Sequence, residues 1–200
     1  MSYIVFTEPE FSRPDAERIQ AARGLHDPHG KLLGPHVTLV LPTLAATDRR
    51  ILDHASAIVA EQRAFRAAFR CAVLMKDVER PLTHVYLLPD DGLSWFVRLR
   101  DRLYTGPLER ALRLDVPYIP HILLGSFERA EAAKTLADGF NKQPFTYSGM
   151  VTTIAIGRLE EGKVARLASL RLRPPPDSGR PPLHRGRPMP SRGSGRLPPR

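Results

Sequence analysis

Apolar and polar residues follow two rhythms along this chain. Residues 2–7 (SYIVFT), 36–41 (HVTLVL), 83–88 (THVYLL) and 121–127 (HILLGSF) are short runs rich in β-branched and apolar residues, which predicts strands. Pro9, Pro42 and Pro89 are expected to close the first three. Between the runs the spacing turns helical. Residues 14–23 open with proline, carry acids in the first turn and stop at Gly24. Residues 47–62 start on an N-cap threonine and repeat apolar positions at Ile51, Ala55, Ile58 and Val59. Residues 93–104 put Leu93, Phe96, Val97, Leu99 and Leu103 on one broad face, and 128–140 read as a fourth helix. The second half of 65–77 is expected to be a strand. Residues 145–158 and 164–172 are β-rich around a turn at GRLEEGK.

The order of these elements is itself a repeat: strand, helix, Pro-His strand, helix, strand, and then the same again. It predicts an α+β fold of two similar lobes, duplicated β-α-β-α-β units around a central cleft, over residues 1–173. Beyond it, residues 174–200 hold six arginines against one aspartate, which is +5 of the net +9, and nearly half of the 20 prolines. A segment with so little to bury cannot offset its ordering entropy, so a disordered basic tail is expected. It is either an arm that adds nonspecific affinity for polyanions or a solvated extension without a specific role.

Composition narrows the class. The chain has 200 residues, 42% of them hydrophobic, and a mean hydropathy of −0.26. No apolar run approaches the about 18–20 residues that cross a bilayer, so no membrane partner is expected. MSYIVFTEPEF lacks a basic region followed by an apolar stretch, so the expected location is cytoplasmic. A monomer is expected. Cys71 is the only cysteine, which excludes an intrachain disulfide and leaves no cysteine-based zinc site.

The candidate chemistry lies in two stretches, GPHVTLV (34–40) and IPHILLG (119–125). Side chains alternate across a strand, so His36 shares a face with Thr38, and His121 shares a face with Leu123. If the repeats are related by a pseudo-twofold, the two strands lie side by side as neighbouring central strands, and the two histidines face one another across the groove. Imidazole titrates near neutrality, so such a pair can serve as general base and general acid without a metal. Thr38 can donate to an anionic oxygen between them, and a phosphodiester suits that arrangement best. Pro-His alone is weak: a third copy, Pro28–His29, is followed by glycine and lysine. The bland alternative is two histidines that are merely hydrogen-bonded at sheet ends.

HVTL at 36–39 and HILL at 121–124, set in a duplicated strand-helix frame, resemble the two-histidine (2H) phosphoesterase superfamily. The resemblance is to its 2′-5′ RNA ligase-like and RNA 2′,3′-cyclic phosphodiesterase branch, and it covers roughly residues 1–172. It implies a bilobal fold and metal-independent, cofactor-free action on 2′,3′-cyclic or 2′-5′-linked phosphodiesters. RNA ends or small cyclic nucleotides are the implied partners. His36 and His121 match the catalytic positions and Thr38 matches a substrate-binding one. Leu123 departs, because the family places threonine or serine there. A hydrogen bond to a charged group is worth about 1.5–3 kcal/mol, so its loss would cost roughly 10- to 150-fold. The protein is thus either a phosphodiesterase, weakened or altered in substrate, or an RNA- or nucleotide-binding protein that has lost useful catalysis.

Other residues invite weaker readings. His26, Asp27 and His29 make at most part of a metal site. His54 reads as surface or packing, and His84 as structural. Thr83 and Tyr118 are candidates for the missing hydroxyl. Arg158 and Lys76 could add positive charge to the cleft. Cys71 reads as a small buried side chain, and Trp95 as core.

Overall fold

The computed structural model describes residues 2–44, 47–160 and 162–175. Nine strands and four α-helices occur among them in the order β1 (Ser2–Thr7), β2 (Glu10–Phe11), α1 (Arg13–His26), β3 (Val37–Thr43), α2 (Asp48–Glu61), β4 (Phe65–Lys76), β5 (Thr83–Asp91), α3 (Leu93–Leu103), β6 (Ile122–Phe127), α4 (Ala130–Asn141), β7 (Tyr147–Val151), β8 (Thr153–Glu160) and β9 (Lys163–Arg171). A 3-10 helix, Gly106–Ala111, follows α3 where a plain loop was expected.

The strands form two antiparallel sheets. One runs β3-β1-β8-β9 and the other β2-β7-β4-β5-β6. Each Pro-His strand is therefore an edge: β3 pairs only with β1, and β6 only with β5. The α+β duplication is present, but its halves are interleaved. The first sheet borrows β8 and β9 from the second half of the chain, and the second sheet borrows β4 and β2 from the first half. Helices cross over too, since α1 packs on β6 while α3 packs on β3.

Burial explains why these segments are strands. In β5 the residues alternate from Thr83 to Pro89, with Val85 and Leu87 fully buried and His84 and Tyr86 half-buried. The main apolar core is continuous between the sheets and their helices, with Val5, Val37, Leu39, Phe69, Leu87, Phe96, Ile122 and Leu124 almost wholly buried.

Four expectations need correction, the first being that the Pro-His strands are neighbouring central strands: β3 and β6 are the edges of two different sheets. β4 occupies all of 65–76, because its first part pairs with β7 and its second with β5, and that pairing overrides local propensity. Pro89 does not end β5. It sits opposite Phe69 where the register slips, so its missing N–H falls at a bulge. Pro42 likewise stays within β3, an edge strand that tolerates it. The basic tail lies outside the described residues except for its first two prolines. Arg63 bridges Arg173 and donates to the Pro174 carbonyl at 3.4 Å. No helix among the described residues is long and apolar enough to cross a membrane.

Candidate active site

His36 and His121 each stand one residue before their strand begins. The His36 Nδ1–H donates to the Gly34 carbonyl at 2.9 Å, and the His121 Nδ1–H donates to the Ile119 carbonyl at 2.6 Å. Each bond reaches back two residues across a proline. Proline has no N–H and holds the preceding residue extended, which leaves that carbonyl for the imidazole. A carbonyl only accepts, so Nδ1 carries the proton and a neutral ring presents the lone pair of Nε2. The histidines are bonded at the sheet ends, as the bland reading required, but on one nitrogen only.

Beyond the histidines the strands share a defect. β3 slips register against β1 between the pairs Phe6–Thr38 and Val5–Val40, and β6 slips against β5 between Tyr86–Leu123 and Val85–Gly125. Two consecutive residues are buried at each bulge, Leu39 with Val40 and Leu124 with Gly125. Thr38 and Leu123 remain half-buried on the face of their histidine. At Gly125 a Cβ would come within 2.6 Å of the His26 Cβ, so glycine is what lets α1 close on β6.

Each imidazole lies against an aromatic ring of the neighbouring strand. Phe6 meets His36 edge-on, 5.5 Å between centroids, and Tyr86 lies flat on His121 at 3.5 Å and 9°. A second side chain backs each ring. Arg166 sits 5.4 Å over Phe6 and pairs with Glu8 at 2.5 Å. His84 stacks on Tyr86 at 5.6 Å and 8°, with its Nε2 2.9 Å from Asp77 Oδ2 and its Nδ1 2.9 Å from the Ser126 hydroxyl. His84 therefore belongs to the row that ends at His121, which the structural reading of this residue did not foresee.

Two tyrosines, buried Tyr104 and half-buried Tyr118, brace the edges. The Tyr118 hydroxyl, just ahead of Pro120, donates to the Thr38 carbonyl at 3.1 Å, and the Leu41 N–H donates to the Tyr104 hydroxyl at 3.0 Å. The Arg100 guanidinium packs on both rings, 4.2 Å from Tyr118 and 4.7 Å from Tyr104. Burial pushes the His121 pKa down to about 4; the charges of His36 and His84 push the same way, against the Ile119 bond. Burial also lowers His36, against its Gly34 bond, and Arg23 adds to the shift. Both rings are thus neutral at pH 7 in the free protein.

The remaining candidates fall elsewhere. Asp27 is buried in an ion pair with Arg23 at 2.9 Å, and no group of three potential metal ligands occurs among the described residues. His26 packs on Phe127 and lines a groove of about 560 Å³ between α1 and α4 that contains neither Pro-His histidine. His54 bonds the Leu103 carbonyl. Thr83 is buried at the far end of β5, opposite Phe127, and the Tyr118 hydroxyl is already engaged, so neither replaces the missing hydroxyl. Arg158 is tied to Asp48 and Glu160, and Lys76 is exposed at the end of β4. Cys71 is half-buried, not buried. Trp95 is 42% exposed against Phe65 and Arg98, not core, because it falls at the rim of the apolar face of α3.

Two sheets, each edged by a strand led by an anchored histidine, define a two-histidine phosphoesterase frame. The model of the 2′-5′ RNA ligase superfamily matches residues 11–163, and the chain belongs to that superfamily. Among solved structures it is similar to Escherichia coli LigT complexed with 3′-AMP, with 16% identity, a TM-score of 0.52, and coverage of 86% of this chain and 99% of that one. The apo form of LigT gives 18% and 0.53, with coverage of 86% and 98%. A structure described as a phosphoesterase gives 16% and 0.51, with coverage of 86% and 99%. At these identities the likeness is one of fold. No curated protein matches in sequence.

Proposed function

We propose that this protein is a metal-independent phosphodiesterase that acts on 2′,3′-cyclic phosphates or 2′-5′-linked RNA ends, with His36 and His121 as the acid–base pair. The observation that carries the reading is the matched anchoring: two imidazoles, each held through Nδ1 by the carbonyl two residues back, each leaving Nε2 for chemistry, on two edge strands tied together by Tyr118. Membership of the superfamily and the 3′-AMP bound by LigT support a nucleotide-like substrate.

In the proposed step water attacks phosphorus, a P–O bond forms, and the bond to one ribose oxygen breaks. One imidazole takes the proton from water, and the other delivers a proton to the leaving oxygen. Both rings start neutral, so the phosphodiester's negative charge is what draws in the single proton that the pair must carry. The Thr38 hydroxyl donates to a non-bridging oxygen. The test is hydrolysis of a short RNA ending in a 2′,3′-cyclic phosphate, with EDTA present. The expected product is a 2′- or 3′-monophosphate end. No turnover, or turnover only with added divalent metal, overturns the reading.

A further inference from the structure

We infer that the Tyr86 phenol supplies the second hydroxyl to the phosphate, from β5, in place of the one that Leu123 cannot supply from β6. The inference rests on the phosphodiesterase reading above and names a further substrate-binding residue for it.

Register carries the argument. Phe6 lies directly opposite Thr38 across the β1–β3 ladder, and Tyr86 lies directly opposite Leu123 across the β5–β6 ladder. Both pairs come just before the matching bulge, so the four positions correspond two by two. In the first pair the strand behind the histidine contributes a ring without a hydroxyl, and the histidine strand contributes the hydroxyl. In the second pair the assignment is exchanged. Directly opposed residues on one sheet face are neighbours, with Cβ atoms about 4.5–5.5 Å apart, so a longer side chain on one strand can reach the space served from the other. The flat stack at 3.5 Å keeps the phenol oxygen beside the His121 ring.

Two further observations fit a ligand-facing phenol. The hydroxyls of Tyr3, Tyr104 and Tyr118 are committed to Asp48, the Leu41 N–H and the Thr38 carbonyl, whereas those of half-buried Tyr86 and buried Tyr147 make no hydrogen bond among the described residues, and of these two it is Tyr86 whose ring lies on His121. Its ring is also held from behind. His84 is fixed through both nitrogens by Asp77 and Ser126, and Asp77 accepts from the backbone N–H groups of Glu79 and Arg80 at 2.8 and 3.0 Å. Burial and the nearby Asp77 charge push the Tyr86 pKa up to about 12, so the group stays a donor at neutral pH.

The experiment compares wild type, Tyr86→Phe, Leu123→Thr and the double variant on a 2′,3′-cyclic phosphate. Tyr86→Phe keeps the stack and removes one oxygen. It should lower kcat/KM by roughly 10- to 150-fold with the melting temperature retained. Leu123→Thr should raise kcat/KM more in the Tyr86→Phe background than in wild type, because the two positions serve one phosphate. Full activity in Tyr86→Phe, or a double variant no better than Tyr86→Phe, overturns the inference. Calorimetric binding of 2′-AMP separates it from the reading beneath it. If wild type turns nothing over yet binds 2′-AMP, and Tyr86→Phe binds it more weakly, the phosphodiesterase reading fails and the phenol contact stands. Equal binding by both overturns the contact.

Discussion

The two half-sites are alike around their imidazoles and unlike at the positions proposed to hold the phosphate. Both have proline, an Nδ1–carbonyl anchor reaching back two residues, a bulge three to four residues on, and an aromatic ring against the imidazole. They differ in what surrounds that frame. The first sheet offers Phe6 with Thr38, backed by the Arg166–Glu8 pair; the second offers Tyr86 with Leu123, backed by the His84–Asp77 pair. Acid–base exchange needs one proton acceptor and one proton donor beside the phosphate, so loss of either imidazole is expected to remove turnover. A grip on phosphate needs a donor at a point in space, and either of two opposed strands can provide it.

Breaking the symmetric part should cost most. His36→Ala and His121→Ala are each expected to lower kcat on a cyclic phosphate by at least about 100-fold. The double variant should be little worse than either single one, since the pair acts as a unit. A single variant that keeps a tenth of wild-type activity contradicts the pairing. Thr38→Val tests the asymmetric part from the other side. It removes a donor with little change of shape, and a loss of roughly 10- to 150-fold in kcat/KM is expected. Wild-type kinetics would show that the first sheet's hydroxyl makes no contact in the transition state.

Acid stability sharpens the comparison more gently. Folding lowers the His121 pKa from its ordinary 6.5 to about 4. Above pH 6.5 neither state binds the proton and the group is neutral to stability. Between 6.5 and 4 the unfolded chain takes up a proton that the folded chain refuses, so stability falls with falling pH, by no more than about 3 kcal/mol. His121→Gln should flatten that fall in urea midpoints measured from pH 7.5 to 4.5. Parallel profiles would mean that the ring is better solvated than its surroundings suggest. The smallest effect is expected from removing residues 176–200, which spares the Arg63 contacts to Arg173 and Pro174. Turnover of short oligonucleotides should not change, while affinity for long RNA at low salt should drop. Unchanged affinity for long RNA would leave the arginines without a role in binding.

Much of this was legible in the chain. Alternation and helical spacing located the elements, and the repeated Pro-His marked the two histidine strands, but their place at the edges of two different sheets was not legible in it. Other features were not legible because they depend on partners distant in sequence. The interleaving of the halves rests on β1 meeting β8, some 150 residues apart, and no local period reports such a contact. Tyr86 looked like an ordinary strand aromatic in THVYLL. Only its register against Leu123 gives it a role, and a bulge sets that register. Trp95 was misjudged because a residue at the rim of an apolar stripe reads the same as one at its centre.

The interleaving also has a consequence for how the molecule comes into being. Synthesis delivers β1 and β3 early, yet β1 gains its second neighbour only when β8 follows the whole middle of the chain. Until then a strand carrying Val5 and Phe6 has one bare side, the kind of surface that recruits foreign strands. By the same logic, a chain cut between Lys76 and Thr83 and produced as two fragments should regain its fold only when both are present, since each sheet is assembled from both pieces.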